Sequence, residues 1–107
     1  MRVQVVNFGL AGLSQEEWQE NGKRLASRYV DVPGLIAKIW IKNSDENRFG
    51  AIYVWDDGAS MDAFAKSDLG QRIRNHPNYE NLSINSFEVI GDLTRITARE
   101  ILRQEQV

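Results

Sequence analysis

The chain contains no cysteine and a single histidine, His76. Without cysteine there is no disulfide, no thiolate metal site and no cysteine nucleophile, and a reducing cytoplasm fits, as other compartments also would. One histidine argues against a histidine-rich metal site. No apolar run approaches the roughly 20 residues that a membrane-spanning helix needs. Basic blocks are missing as well. Thirteen Lys and Arg stand against 15 Asp and Glu, a net charge of −2, so neither nucleic acid nor an anionic membrane finds electrostatic support as a partner. Repeats and low-complexity segments are lacking. Met1–Phe8 has one arginine, no long apolar core and no cleavage site, so it reads as a strand rather than as a signal peptide. At 107 residues with ordinary apolar and charged content, one globular domain remains.

What the chain does have is concentrated in residues 34–56. Two strand-like runs, Leu35–Lys42 and Gly50–Trp55, flank a polar connection, Asn43–Arg48. Lys38 and Trp40 alternate in the first run, Tyr53 and Trp55 in the second. Each pair therefore shares one side of its strand. Such a hairpin is either a heavy core or the floor of an aromatic-lined pocket.

The rest of the chain supplies a frame. Arg2–Phe8 is apolar and β-branched, a first strand bounded by Gly9 and Gly12. Ser14 and Glu17 form a capping box that opens a helix to about Val30, with Trp18, Leu25, Ala26 and Tyr29 on one stripe. Pro33-Gly34 turns the chain into the hairpin. A second helix is expected from about Ser60, with Met61 and Phe64 inward. A further short helical segment is capped by Ser67 or Asp68. Asn75–Asn81 reads as a loop around His76-Pro77, and Leu82–Ile90 as the fourth strand. From Thr94 a polar tail carries Ile96, Ile101 and Leu102 at the spacing of a marginal helix or docking arm.

The order βαββαβ predicts an α+β, ferredoxin-like domain over residues 1–97, a four-stranded antiparallel sheet with two helices on one face. Residues 98–107 form the tail. Nearly every strand carries apolar residues at both parities: Val5 and Val6, Ile39 and Trp40, Tyr53 and Val54, Ile84 and Phe87. Strand spacing and rise give the uncovered face roughly 400 Å², near the limit for an open apolar patch. A second copy packed sheet on sheet is the expected cover, with the tail as a possible clasp.

Several stretches carry a family resemblance. They are Pro33-Gly34-Leu35 with Lys38-Ile39-Trp40, Glu46 in the connection, Gly50–Trp55, Asn75-His76-Pro77-Asn78-Tyr79, and Phe87–Ile90 with Thr94–Thr97. In order and spacing the chain resembles, over roughly residues 3–97, the YdhR-type monooxygenases of the antibiotic-biosynthesis monooxygenase superfamily. The resemblance implies a cytoplasmic homodimer, a dimeric α/β barrel, with a cavity between sheet and helices in each subunit. It also implies oxidation of small aromatic, quinone-forming substrates by O2, with no metal, flavin or haem as cofactor.

Such chemistry needs one base, a few hydrogen-bond donors and a dry, aromatic-walled site. Trp40, Tyr53 and Trp55 are candidate walls, or plain core. Lys38 is a candidate to hold a substrate oxyanion or to pair with Glu46. Alternatively it is an edge-strand lysine that guards against aggregation. His76 is the candidate base by its ordinary pKa, though a loop histidine is often only solvated. Asn7 could donate to a ligand or satisfy backbone at the strand end, and Asn85 has the same ambiguity. Met61 and Phe64 read as core, and Phe64 also stands among the substrate-binding candidates. Asp56-Asp57 reads as a helix-start device. Haem degradation, known in the same superfamily, is implied less well. It pairs a strand-one asparagine with a helix-two tryptophan and a downstream histidine. Asn7 fits the first, Phe64 stands where the tryptophan belongs, and His76 is displaced by about two positions. A non-catalytic module that binds a small aromatic molecule is the alternative from outside enzymology.

Overall fold

The computed structural model describes residues 1–98. Strand β1 (Arg2–Leu10) leads into helix α1 (Gln15–Val30). The capping box predicted there is present. The Glu17 N–H donates to Ser14 Oγ at 3.1 Å, and the Ser14 N–H donates to the Glu17 carboxylate at 2.9 Å. Gly34 turns the chain after α1 at φ +79, a left-handed conformation that glycine adopts without penalty. Strands β2 (Leu35–Asn43) and β3 (Arg48–Trp55) form the hairpin. Helix α2 (Gly58–Lys66) starts two residues before the expected Ser60, because Asp57 caps it by accepting the Ser60 N–H at 2.8 Å. Ser67 ends α2 and caps α3 (Asp68–Arg74), its Oγ accepting the Gly70 N–H.

Other boundaries also differ from the sequence reading. Strand β4 spans Tyr79–Glu88, so it begins inside the stretch expected to be loop. The cause is a register shift in β1 between Asn7 and Gly9, beyond which Gly9 pairs with Glu80 and Leu10 with Tyr79. Asn81 takes up the irregularity at φ 53, as a bulged residue does. Helix α4 (Gly91–Thr97) begins before the expected Thr94. Ile101 and Leu102, and all of the assigned tail beyond Ala98, lie outside the described residues.

The sheet order is β2-β3-β1-β4, antiparallel throughout. That is the ferredoxin-like arrangement the element order predicts. Cross-strand register sorts the faces. Lys38, Tyr53 and Gln4 lie abreast, as do Trp40, Ala51 and Val6. These belong to the face under α1 and α3, where the core cluster includes Phe8, Trp18, Phe49, Tyr53 and Trp55. The opposite face carries Ala37, Val54, Val3 and Phe87 in one row and Ile39, Ile52, Val5 and Asn85 in the next. On that side Ile39 is 46% exposed and Phe87 57%. Helix α4 contributes no buried residue, and its Leu93 and Ile96 are exposed. Among the described residues no helix is long and apolar enough to cross a membrane.

Candidate active site

Between the sheet and the helices lies a cavity of about 270 Å³, at the small end of the range for small-molecule sites. Val6, Ala51 and Tyr53 form its floor, Trp18 and Tyr29 the α1 wall, and Leu69 and Ile73 the α3 wall. Lys38, Trp40 and His76 reach it from β2 and from the α3–β4 loop. Alternation along the hairpin is what brings Lys38, Trp40 and Tyr53 to one side. Trp40 closes the flank, edge-on to Trp18 and Tyr29 at 6.2 and 5.8 Å between ring centroids. Gly22 in mid-helix permits this: a Cβ there would lie 3.3 Å from the Trp40 ring, so the missing side chain makes room for the indole.

Lys38 is the distinctive group. It sits on the edge strand, as the topology requires, but is turned inward. Its Nζ lies 3.4 Å from the Tyr29 ring centroid, 3.7 Å from that of Trp40 and 4.9 Å from that of Tyr53. Among the described residues it has no ion pair, and Glu46 is exposed rather than beside it. Burial disfavours the charged ammonium and lowers its pKa from 10.5 to about 7. The three rings oppose that shift, since their negative faces favour the cation. The result is an amine that holds or releases a proton near neutrality inside an aromatic cage.

The other titratable groups become donors. Burial, and next the adjacent Tyr29 hydroxyl, push the Tyr53 phenol up, so it keeps its proton. Burial raises Tyr29 and Tyr79 in the same way. Burial lowers His76. The His76 ring stacks on Tyr79 at 3.9 Å between centroids, and Tyr79 stacks on Phe8 at 3.7 Å. The Asn78 N–H donates to His76 Nδ1 at 3.1 Å. That bond assigns the proton of the neutral ring to Nε2, which makes His76 a hydrogen-bond donor to anything beyond it.

The remaining sequence candidates lie elsewhere. Trp55 is fully buried, donating from Nε1 to Gln4 Oε1 at 3.2 Å. Phe64 packs against it at 5.3 Å between centroids and faces a second concavity by α2. Of the aspartates lining that concavity, Asp31, Asp57 and Asp68, Asp57 is engaged as a helix cap. Asn7 lies in register with Gly50 and Ser83, on the face away from the cavity. The haem set named above is therefore not assembled. Its asparagine points to the other side, a phenylalanine fills the tryptophan's place, and His76 Nδ1 is engaged by Asn78. Trp18, Tyr29, Arg24, Arg72 and Tyr79 line the cavity without having been singled out for it. Trp18 and Tyr29 had a signal, the α1 stripe, but a stripe does not say whether it meets a packed core or a gap.

A ferredoxin-like sheet with a small aromatic cavity under its helices is the architecture of the antibiotic-biosynthesis monooxygenases, and solved structures bear this out for the fold. A putative antibiotic biosynthesis monooxygenase from Deinococcus radiodurans matches with a TM-score of 0.67 at 14% identity, over 83% of this chain and 92% of that one. SnoaB, a cofactor-independent oxygenase from Streptomyces nogalater, matches with 0.65 at 19% identity, over 83% and 93%. MhuD, a heme-degrader from Mycobacterium tuberculosis with two hemes bound in its active site, matches with 0.67 at 17% identity, over 84% and 96%. No functionally curated protein matches the chain. The chain belongs to the YdhR-type monooxygenase family: the model described as "Putative mono-oxygenase ydhR" matches residues 3–100.

Proposed function

We propose that the protein oxidises a small aromatic, quinol-like molecule with O2, using no resident cofactor. The observation that supports it best is the Lys38 amine, held in an aromatic cage on the cavity wall with no counter-charge among the described residues. A substrate with an acidic CH2 between two aromatic rings and conjugated through them to a carbonyl, as in an anthrone, would give its proton to the neutral amine. The resulting ammonium stays beside the carbanion, with Tyr53 and the His76 Nε2–H as donors to its enolate oxygen. The carbanion passes one electron to O2. The two radicals join through a C–O bond to give a hydroperoxide, which loses water to leave a carbonyl. One oxygen atom ends in product and one in water, so CH2 plus O2 balances against C=O plus H2O with no outside reductant. Trp40 stacks on the substrate and limits water. In this assignment the base is Lys38, and His76 donates.

The same reading takes the working unit to be a homodimer in the cytoplasm. Ile39 and Phe87 are exposed on the sheet face away from the cavity, and Leu93 and Ile96 are exposed on α4, apolar surface of the kind that a second copy covers. The tail, residues 98–107, is then the segment available to clasp the partner.

An oxygen electrode, with a panel of anthrones and quinols and with 18O2 for product labelling, tests the enzyme. One labelled oxygen in the product is expected, with loss of uptake in Lys38→Ala and reduced uptake in Tyr53→Phe and His76→Ala. Ligand binding without oxygen uptake by any form would reduce the protein to a binding module. Titration with hemin is expected to leave the Soret band unshifted.

A further inference from the structure

We propose that the cavity selects an anionic aromatic ligand, one that carries a carboxylate remote from its reacting carbon. This rests on the cavity being the small-molecule site and names the substrate class it takes. The charged side chains lining it are Arg24 from α1, Lys38 from β2 and Arg72 from α3, with His76 beside them. No aspartate or glutamate lines it among the described residues. The whole chain is net acidic, at −2, so the enrichment in positive charge is local. The two arginines approach from different helices and are exposed, placing them at the mouth. Arg24 is steadied by the Asn21 side chain within α1. Arg72 has no ion pair among the described residues, and its field reaches the Tyr29 hydroxyl on the opposite wall.

The layout has a deep end and a shallow end. The deep end is apolar and aromatic, from Val6, Ala51 and Tyr53 up to Trp18 and Trp40, and suits a planar ring. The shallow end offers guanidinium forks, whose planar geometry matches a carboxylate in two parallel hydrogen bonds. A ligand of one or two rings fills about 270 Å³ and leaves its carboxylate at the rim, where water still reaches it and desolvation costs little. A cationic ligand of the same shape would bring its charge toward Lys38 and both arginines, and is rejected.

Calorimetric titration of the full chain with 1-naphthoate, and with 1-naphthamide as a neutral match in shape, tests the inference. The acid should bind roughly tenfold tighter than the amide, and added salt should weaken the acid alone. Arg72→Gln and Arg24→Gln lie on exposed helix surface and leave the fold intact. Each should erase part of the preference while the amide affinity stays fixed. Ala51→Trp, which fills the floor, should abolish binding of both. Equal affinity of acid and amide, lost together in Ala51→Trp, overturns the anion preference and leaves the cavity as the small-molecule site. Binding of either probe that survives Ala51→Trp overturns both readings at once.

Discussion

The two faces of this sheet are built from the same four strands by the same alternation, yet they meet different needs. Toward the helices, Val6, Tyr53 and Trp55 join a closed cluster, and the cavity beside it is lined by titratable groups. Toward the other side, Ile39 and Phe87 stand exposed, outside the buried cluster. Apolar area alone does not separate a binding face from an association face. What separates them is the placement of a few polar groups. Lys38, His76 and the two arginines line the cavity on the helical side, whereas the far side offers Asn7, Ser83, Asn85 and Arg48, which reaches Ser83, among apolar residues.

The largest expected effect breaks the outer face. Ile39→Glu or Phe87→Glu should convert a dimer to a monomer in light scattering, because a charge buried without a partner in an apolar interface is strongly unfavourable. Trp40→Glu, one residue along on the helical side, should leave the mass unchanged. Equal masses for all three variants would place any interface elsewhere.

Within the helical face, core and cavity wall should part company. Trp55→Ala should cost roughly 3–5 kcal/mol in urea melts, as for a fully buried aromatic. Trp40, 38% exposed, should cost clearly less on truncation while losing ligand. Similar losses for both would mean that Trp40 is core and not wall.

Lys38 sharpens the comparison through pH. Its folded-state pKa, about 7, lies below the ordinary 10.5. Between those values the unfolded chain binds a proton that the folded chain does not, so stability rises with pH across that window. The burial penalty is full below about pH 7 and fades toward pH 10.5. Lys38→Met should therefore be more stable than the parent by a few kcal/mol near pH 6, less whatever the aromatic cage returns. The difference should close by about pH 10. Parallel profiles for the two proteins would show that the amine is not held in a desolvating site. The smallest effect belongs to Ser14→Ala, which removes the α1 cap at a cost of about 1 kcal/mol and should leave both the dimer mass and ligand affinity alone.

The frame was legible because its signals are local. Ser14 with Glu17 is a capping box, Pro33-Gly34 is a turn, and the hairpin alternates with period two. The pairing of Lys38 with Trp40 and of Tyr53 with Trp55 on shared sides followed from that period. Which side was not decidable, since apolar residues occur at both parities and only the packing of α1 breaks the tie. The fate of Lys38 hung on the same point: an edge lysine facing outward guards the sheet edge, and one facing inward meets the cavity. The start of β4 depended on a bulge opposite Asn7 and Gly9, a long-range register no local pattern reports. Arg24 and Arg72 looked like ordinary charges on exposed helix faces. Their convergence on one opening comes from how α1 and α3 pack over the sheet.

Oxygen uptake is the most direct measure of the central claim, recorded on a panel of anthrones and quinols, with a metal chelator present, for the parent protein and for Lys38→Ala. The account predicts uptake by the parent, abolished when the caged amine is removed. No uptake by the parent on any member of the panel, or undiminished uptake by the Lys38 variant, would contradict it.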